Sequence, residues 1–163
     1  MLIEGTRFGR IEVEEDRLIT LEGGLVGFGH DTLFVLHESE NSPRIAWLQS
    51  VRSPNLAFPV IDGAEFGEDY PSPSAVQLAE GAGLSTTDLA VLVVVAARPH
   101  RALVANLLAP IIVDVKNRRG AQCVLDPRVY SAQHTVDPIS LANALGRSGA
   151  LRQAPPPRMV AAR

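Results

Sequence analysis

The chain has 163 residues, a single cysteine and a formal net charge of −3. A chain of this length reads as one domain whose core needs no disulfide or metal, and the lone Cys123 excludes an internal disulfide and fits a reducing compartment. No basic-then-apolar leader opens the sequence, and the longest apolar run, Leu89 to Ala97, is less than half of a membrane span, so the expectation is a soluble cytoplasmic protein.

The charge is unevenly spread. Residues 1–90 hold fifteen Asp and Glu against five Arg, whereas residues 91–163 hold three acids against ten Arg and Lys. One reading is an ordinary solvated surface. The other is an acidic face that attracts a basic partner. The acidic half disfavours direct nucleic-acid binding, and the basic half has only Arg118-Arg119 as a tight cluster, with no interleaved aromatics.

Apolar residues alternate at period two from the start. Ile11 and Val13 face one way between acids, Glu15-Asp16 turns, and Arg17 to Leu21 alternates again, so 8–21 reads as a hairpin. Residues 22–29 form a glycine-rich bend without phosphate-loop spacing, read as a structural turn. Thr32 to His37, Ile45 to Ser50 and Leu56 to Ile61 are short strands. Pro59 cannot donate to a ladder, which places its strand at an edge or a bulge. Residues 62–73 are acidic and rich in Pro and Gly. Ser74 to Leu84 holds one short helix capped by Ser74.

Leu89 to Ala97 lacks alternation, as befits a central strand covered on both faces. Leu103 to Asn106 and Ile111 to Val115 are further strands. Asn106 and Pro110 lie between them, where a crossing or bulge is expected, and Asn106 is expected to hydrogen-bond backbone there. Asn117 to Gly120 reads as a hairpin turn with Gly120 supplying positive φ, before Ala121 to Leu125 returns. Eight or nine short strands over 8–130, with turn signals about every ten residues, predict an all-β fold, a small antiparallel barrel or barrel-like sandwich with one or two short helices. A barrel domain is expected over 1–136, a short helical extension over 137–151 behind Asp137-Pro138, and a disordered tail over 152–163.

Chemistry is sparse. His30, His37, His100 and His134 show no metal-ligand spacing, Cys123 reads as an inert strand thiol, and no nucleophile elbow is present. No metal or cofactor is expected. The 62–70 segment is more informative. Phe66 and Tyr70 sit among Glu65, Glu68 and Asp69, a composition that suits either anchors for a protein partner or aromatics tucked into the barrel end.

Thr6-Arg7-Phe8-Gly9, then Gly24-Leu25-x-Gly27-Phe28, resembles the opening of the flagellar assembly factor FliW family. Trp47-Leu48-Gln49-Ser50, Leu56-Ala57-Phe58 with Val60, Phe66-x-x-Asp69-Tyr70, Asn106-Leu107-x-Ala109-Pro110-Ile111, Gly120-x-Gln122 and Tyr130-x-x-x-His134 continue it in order. The resemblance spans about residues 3–136. It implies a small β-barrel that is not an enzyme and that has two protein partners. One is flagellin, held in the cytoplasm before export. The other is CsrA, a basic translational repressor that the family antagonises until flagellin accumulates. Under this reading Glu65, Phe66, Glu68, Asp69, Tyr70 and Phe58 are candidate partner contacts, and Phe8, Gly9, Gly27, Phe28, Trp47, Gln49, Asn106 and Pro110 are structural motif positions. Pro59 and Pro71 depart from the family pattern near that surface. The rival functions are a general secretion chaperone or interaction module, and a small hydrolase using His134 or the 65–69 carboxylates.

Overall fold

The computed structural model describes residues 1–39, 42–99 and 103–136. The helix and tail expected beyond residue 136 lie outside the described residues.

The centre is a closed barrel of seven strands. Strand β3 (Leu18–Leu21) pairs with β4 (Leu33–Glu38), which is followed by β5 (Ala46–Ser50), β6 (Ala57–Asp62) and β7 (Leu89–Ala97), each antiparallel to the last. Strand β9 (Ile111–Asp114) pairs with β7 on one side and with β10 (Arg119–Gln122) on the other, and β10 returns to β3. That last pairing, Arg119 with Thr20 and Gly120 with Leu21, is parallel, so the barrel is not antiparallel throughout as expected.

Closure depends on β7. Its nine residues reach about 30 Å, enough to serve three neighbours in turn. Leu89–Leu92 pairs with β9, Leu92–Val94 with β6, and Val95–Ala97 with β8 (Leu103–Ala105). Beyond β8 lies β11 (His134–Val136). The β6–β7 register runs only from Val60 to Asp62, while Pro59 pairs with Trp47 of β5 alone. Contrary to expectation, β6 is neither an edge strand nor bulged at Pro59, and the missing N–H is accommodated because Pro59 lies outside the β7 pairing.

The barrel interior holds Ile19, Leu21, Leu25, Phe34, Leu36, Leu48, Val60, Leu92, Ile111 and Val113. Three covers then bury the outward residues of the same strands. The first is a two-stranded hairpin of β1 (Leu2–Thr6) and β2 (Gly9–Glu12), which packs Ile3, Ile11 and Val13 on Val35. The second is helix α1 (Ala75–Gly81), whose Ala79 meets Ile112, with Leu89 and Val91 packed alongside. Ser74 caps it in a capping box with Gln77, as its sequence predicts. The third cover is the 63–73 segment with β8 and β11, over Ile61, Val93 and Val95. Alternation vanishes in β7 because Ala90 and Leu92 face inward while Leu89, Val91, Val93 and Val95 lie beneath covers.

Two sequence expectations give way here. Residues 8–21 are not a hairpin. A 3₁₀ turn at Glu15–Arg17 separates β2, which pairs with β1 outside the barrel, from β3, which pairs with β4 and β10 within it. Ile11 and Ile19 thus belong to different layers. Gly120 does not supply positive φ. Arg118 holds that conformation, at φ 54°, and Gly120 lies in β10. A Cβ at residue 120 would stand 2.7 Å from the Ile112 carbonyl oxygen and 2.8 Å from Leu21 Cδ2, so glycine is needed for close approach at the closing seam.

Candidate protein-binding surface

The glycine-rich bend after β3 is tightly wound. Gly24 has φ +65°, and a Cβ there would lie 2.5 Å from the Phe28 carbonyl oxygen and 2.7 Å from that of Asp31. Leu25 and Phe28 form an isolated bridge that places Val26-Gly27 at a turn tip. The Val26 amide donates to Gln122 Oε1 at 2.7 Å, and Gln122 Nε2 donates to the Ala109 carbonyl at 3.1 Å. One side chain thereby ties the bend to the 106–110 loop. At the far end of the bend, Asp31 accepts from Ser50 Oγ at 2.5 Å and from Ser53 Oγ at 3.2 Å. These ties fix a loop that leaves Val26 70% and Phe28 40% exposed, with the Phe28 ring 5.2 Å from that of half-buried Phe58.

The other motif positions are architectural. Gln49 is buried, and its Nε2 donates to the carbonyls of Ser50, Pro54 and Leu56, fixing the β5–β6 turn. Phe8 stands at the tip of the β1–β2 hairpin against Trp47, followed by Gly9 at φ +83°. Asn106 Oδ1 accepts from the Ala109 amide at 3.2 Å, ahead of buried Pro110.

The acidic segment divides in two. Asp62 is buried and accepts from the Ala64 amide, capping a 3₁₀ turn at Gly63–Phe66. Glu65 is not a surface charge, contrary to expectation. Its side chain is 7% exposed and lies 3.6 Å from the equally buried Arg44 guanidinium, none of whose nitrogens has a hydrogen-bond partner among the described residues. Burial pushes the Glu65 carboxyl above the usual range, and Arg44 opposes that shift. Phe66 and Tyr70 are half-buried, packed on the cover cluster with Ile45, Leu103 and Tyr130. Their rings lie 5.8 Å apart, with Tyr130 5.4 Å from Tyr70 and His134 5.9 Å from Phe66.

Tyr70 donates to the Leu107 carbonyl at 3.0 Å, and the Ser72 amide donates to Tyr130 Oη at 3.1 Å. Burial beside Tyr130 raises the Tyr70 pKa, so the phenol stays a neutral donor. Peptide bonds Tyr70–Pro71 and Ser72–Pro73 are cis. Glu68 and Asp69 remain exposed on this clamped loop. The fold therefore joins Phe28 to Phe58 and Phe66 to Tyr70, sets Glu65 against Arg44, and leaves Glu68 and Asp69 exposed.

Three residues that shape this surface escape sequence reasoning. Arg44 gives no local sign of pairing with Glu65. Gln122 was legible only as a family motif position. Val26 is the unspecified position of Gly24-Leu25-x-Gly27-Phe28 and carries no signal of its own. Cys123 is half-buried, its thiol pKa raised by burial, and among the described residues no group of three His, Cys, Asp or Glu could hold a metal ion. No helix among the described residues is long and apolar enough to cross a membrane.

These features define a small closed β-barrel with three outer covers and with surface loops stapled into fixed shapes. Residues 2–136 match the family model described as FliW protein, and the chain belongs to that family of flagellar assembly factors. It is 36% identical over 138 residues to the flagellar assembly factor FliW of Natranaerobius thermophilus, covering 82% of this chain and 91% of that one. It is 37% identical over 140 residues to that of Bacillus subtilis, covering 83% and 96%. A crystal structure of the flagellar assembly factor FliW superposes with TM-score 0.72 at 28% identity, covering 85% of this chain and 99% of that chain.

Proposed function

We propose that this chain is a cytoplasmic regulatory protein of flagellar assembly that binds flagellin and antagonises the translational repressor CsrA, acting by binding and not by catalysis. The observation that carries the reading is the extent of the family match. It spans the barrel and all three covers, so the surface loops belong to the shared pattern and are not additions to a common core. Glu68 and Asp69 supply exposed negative charge for a basic partner such as CsrA. Glu65, Phe66 and Tyr70 hold that loop from beneath. Val26, Phe28 and Phe58 offer an apolar surface on another part of the molecule, suited to flagellin. Of the groups a hydrolase would use, Glu65 faces Arg44, while Glu68, Asp69 and His134 are exposed, with the His134 ring against Phe66.

The test is calorimetry of the purified chain against purified CsrA and purified flagellin separately, then against CsrA with flagellin already bound. Binding to each, with CsrA affinity reduced by prior flagellin, supports the reading. Failure to bind either protein overturns it.

A further inference from the structure

We propose that the β1–β2 hairpin is an acid-released flap latched by His37, whose imidazole is buried without a hydrogen-bond partner beneath the hairpin tip. Among the described residues no ladder pairing joins this two-stranded sheet to the barrel. The pairing is β1 with β2, and attachment rests on side-chain packing of Ile3, Ile11 and Val13 against Val35, Leu18 and Val51. At its tip Phe8 lies edge-on to His37, 4.6 Å between ring centroids, and 5.1 Å from Trp47, the cross-strand partner of His37. The Arg7 guanidinium stands 4.4 Å over the Trp47 ring.

His37 is 1% exposed, and among the described residues neither ring nitrogen has a hydrogen-bond partner. A neutral imidazole tolerates this poorly, and an imidazolium far worse, because it must lose its hydration with only the Glu38 backbone, outside hydrogen-bond geometry, in exchange. The charged residues on the surrounding elements bring no relief. Arg7, at the hairpin tip, carries the same sign as the imidazolium. Glu4 and Arg10 of the hairpin pair with each other in solvent, and Glu38, next along β4, is exposed. Strand β5 carries no charged residue and presents Trp47. On the 3₁₀ turn leading into β3, Arg17 pairs with Glu14.

Burial holds the imidazole below its ordinary pKa of 6.5, although the Glu38 backbone partly offsets this. The covered state therefore binds fewer protons than the open one. Its stability is complete above pH 6.5 and falls as the pH drops below that value. Lifting the hairpin hydrates the ring and bares the outward face of β4 and β5, while the barrel ladder stays intact.

Hydrogen exchange and Trp47 emission (Trp47 is the sole tryptophan) on the full chain between about pH 7.5 and about pH 5 test this. After correction for intrinsic rates, the amides of Ile3, Ile11 and Val13 should lose protection by about tenfold at the acid end, together with a shift in Trp47 emission. Leu48 and Val60 should keep their protection. His37→Leu retains the other three histidines and should abolish both changes. An unchanged acid response in His37→Leu overturns the proposal, as does joint loss of hairpin and barrel protection in the native chain. Should His37→Leu fail to fold, the His37 ring is titrated by NMR in the native chain. Protonation coincident with hairpin release supports the latch, and release while the ring remains neutral overturns it.

Discussion

At the scale of single residues, the Arg44–Glu65 pair separates stability from recognition. Both side chains are nearly inaccessible, and among the described residues the guanidinium gains no hydrogen bond, with Glu65 at 3.6 Å. Removing one partner leaves the other charge buried, so Glu65→Leu should cost about 3 kcal/mol in urea unfolding. Replacing both, Arg44→Met with Glu65→Leu, should recover most of that loss, because a desolvated pair without hydrogen bonds contributes little net stability. Asn106→Ala removes the acceptor for the Ala109 amide and should lower stability by about 1 kcal/mol, read as a lower melting temperature. The sequence makes Asn106 legible, since a polar residue between two apolar strands must find backbone. It makes Glu65 misleading, because three neighbouring acids look equivalent until the fold brings Arg44 to one of them.

At the scale of elements, the seam between β3, β9 and β10 leaves no room for a side chain at residue 120. Gly120→Ala forces a methyl against the Ile112 carbonyl and Leu21, where backbone cannot yield, and should cost about 1–3 kcal/mol. Gly81 provides the contrast. It ends α1, nothing lies within 4 Å of a Cβ built there, and no positive φ is recorded. Gly81→Ala should therefore raise stability by about 0.5 kcal/mol through a less flexible unfolded chain. Parallel urea curves of the two variants check the opposite signs. Most strands were legible from their apolar runs, whereas β1 and β11 were not. The apolar content of β1 is essentially Leu2 and Ile3, and β11 has only Val136 buried, so neither carries a periodic signal.

At the scale of the whole molecule, charge and apolar surface lie on different loops. Glu68→Lys with Asp69→Lys should slow association with CsrA and flatten its salt dependence, since exposed rim charges act on encounter more than on dissociation. Flagellin binding should be unchanged if it uses Val26 and Phe28. Biosensor kinetics across ionic strength decide this, and equal CsrA association rates for the native and reversed chains would remove the acidic loop from the contact. Phe28→Ala probes the apolar loop and should speed flagellin dissociation with little change in melting temperature, because its ring is 40% exposed.

The sequence alone determined the class of fold, the central position of β7, the Ser74 helix cap and the run of motifs that places the chain in its family. Each depends on local periodicity, turn chemistry or residue order, all of which are visible along one dimension. Only the tertiary structure decided that β2 and β3 belong to different layers, that β10 closes the barrel in parallel with β3, that Gly120 serves proximity and not φ, and that Glu65 is internal while Glu68 and Asp69 are not. Alternation says that a strand has two faces, but not what lies beyond each. Which face meets the barrel interior, which lies beneath a cover and which acid finds an arginine are set by contacts between distant parts of the chain.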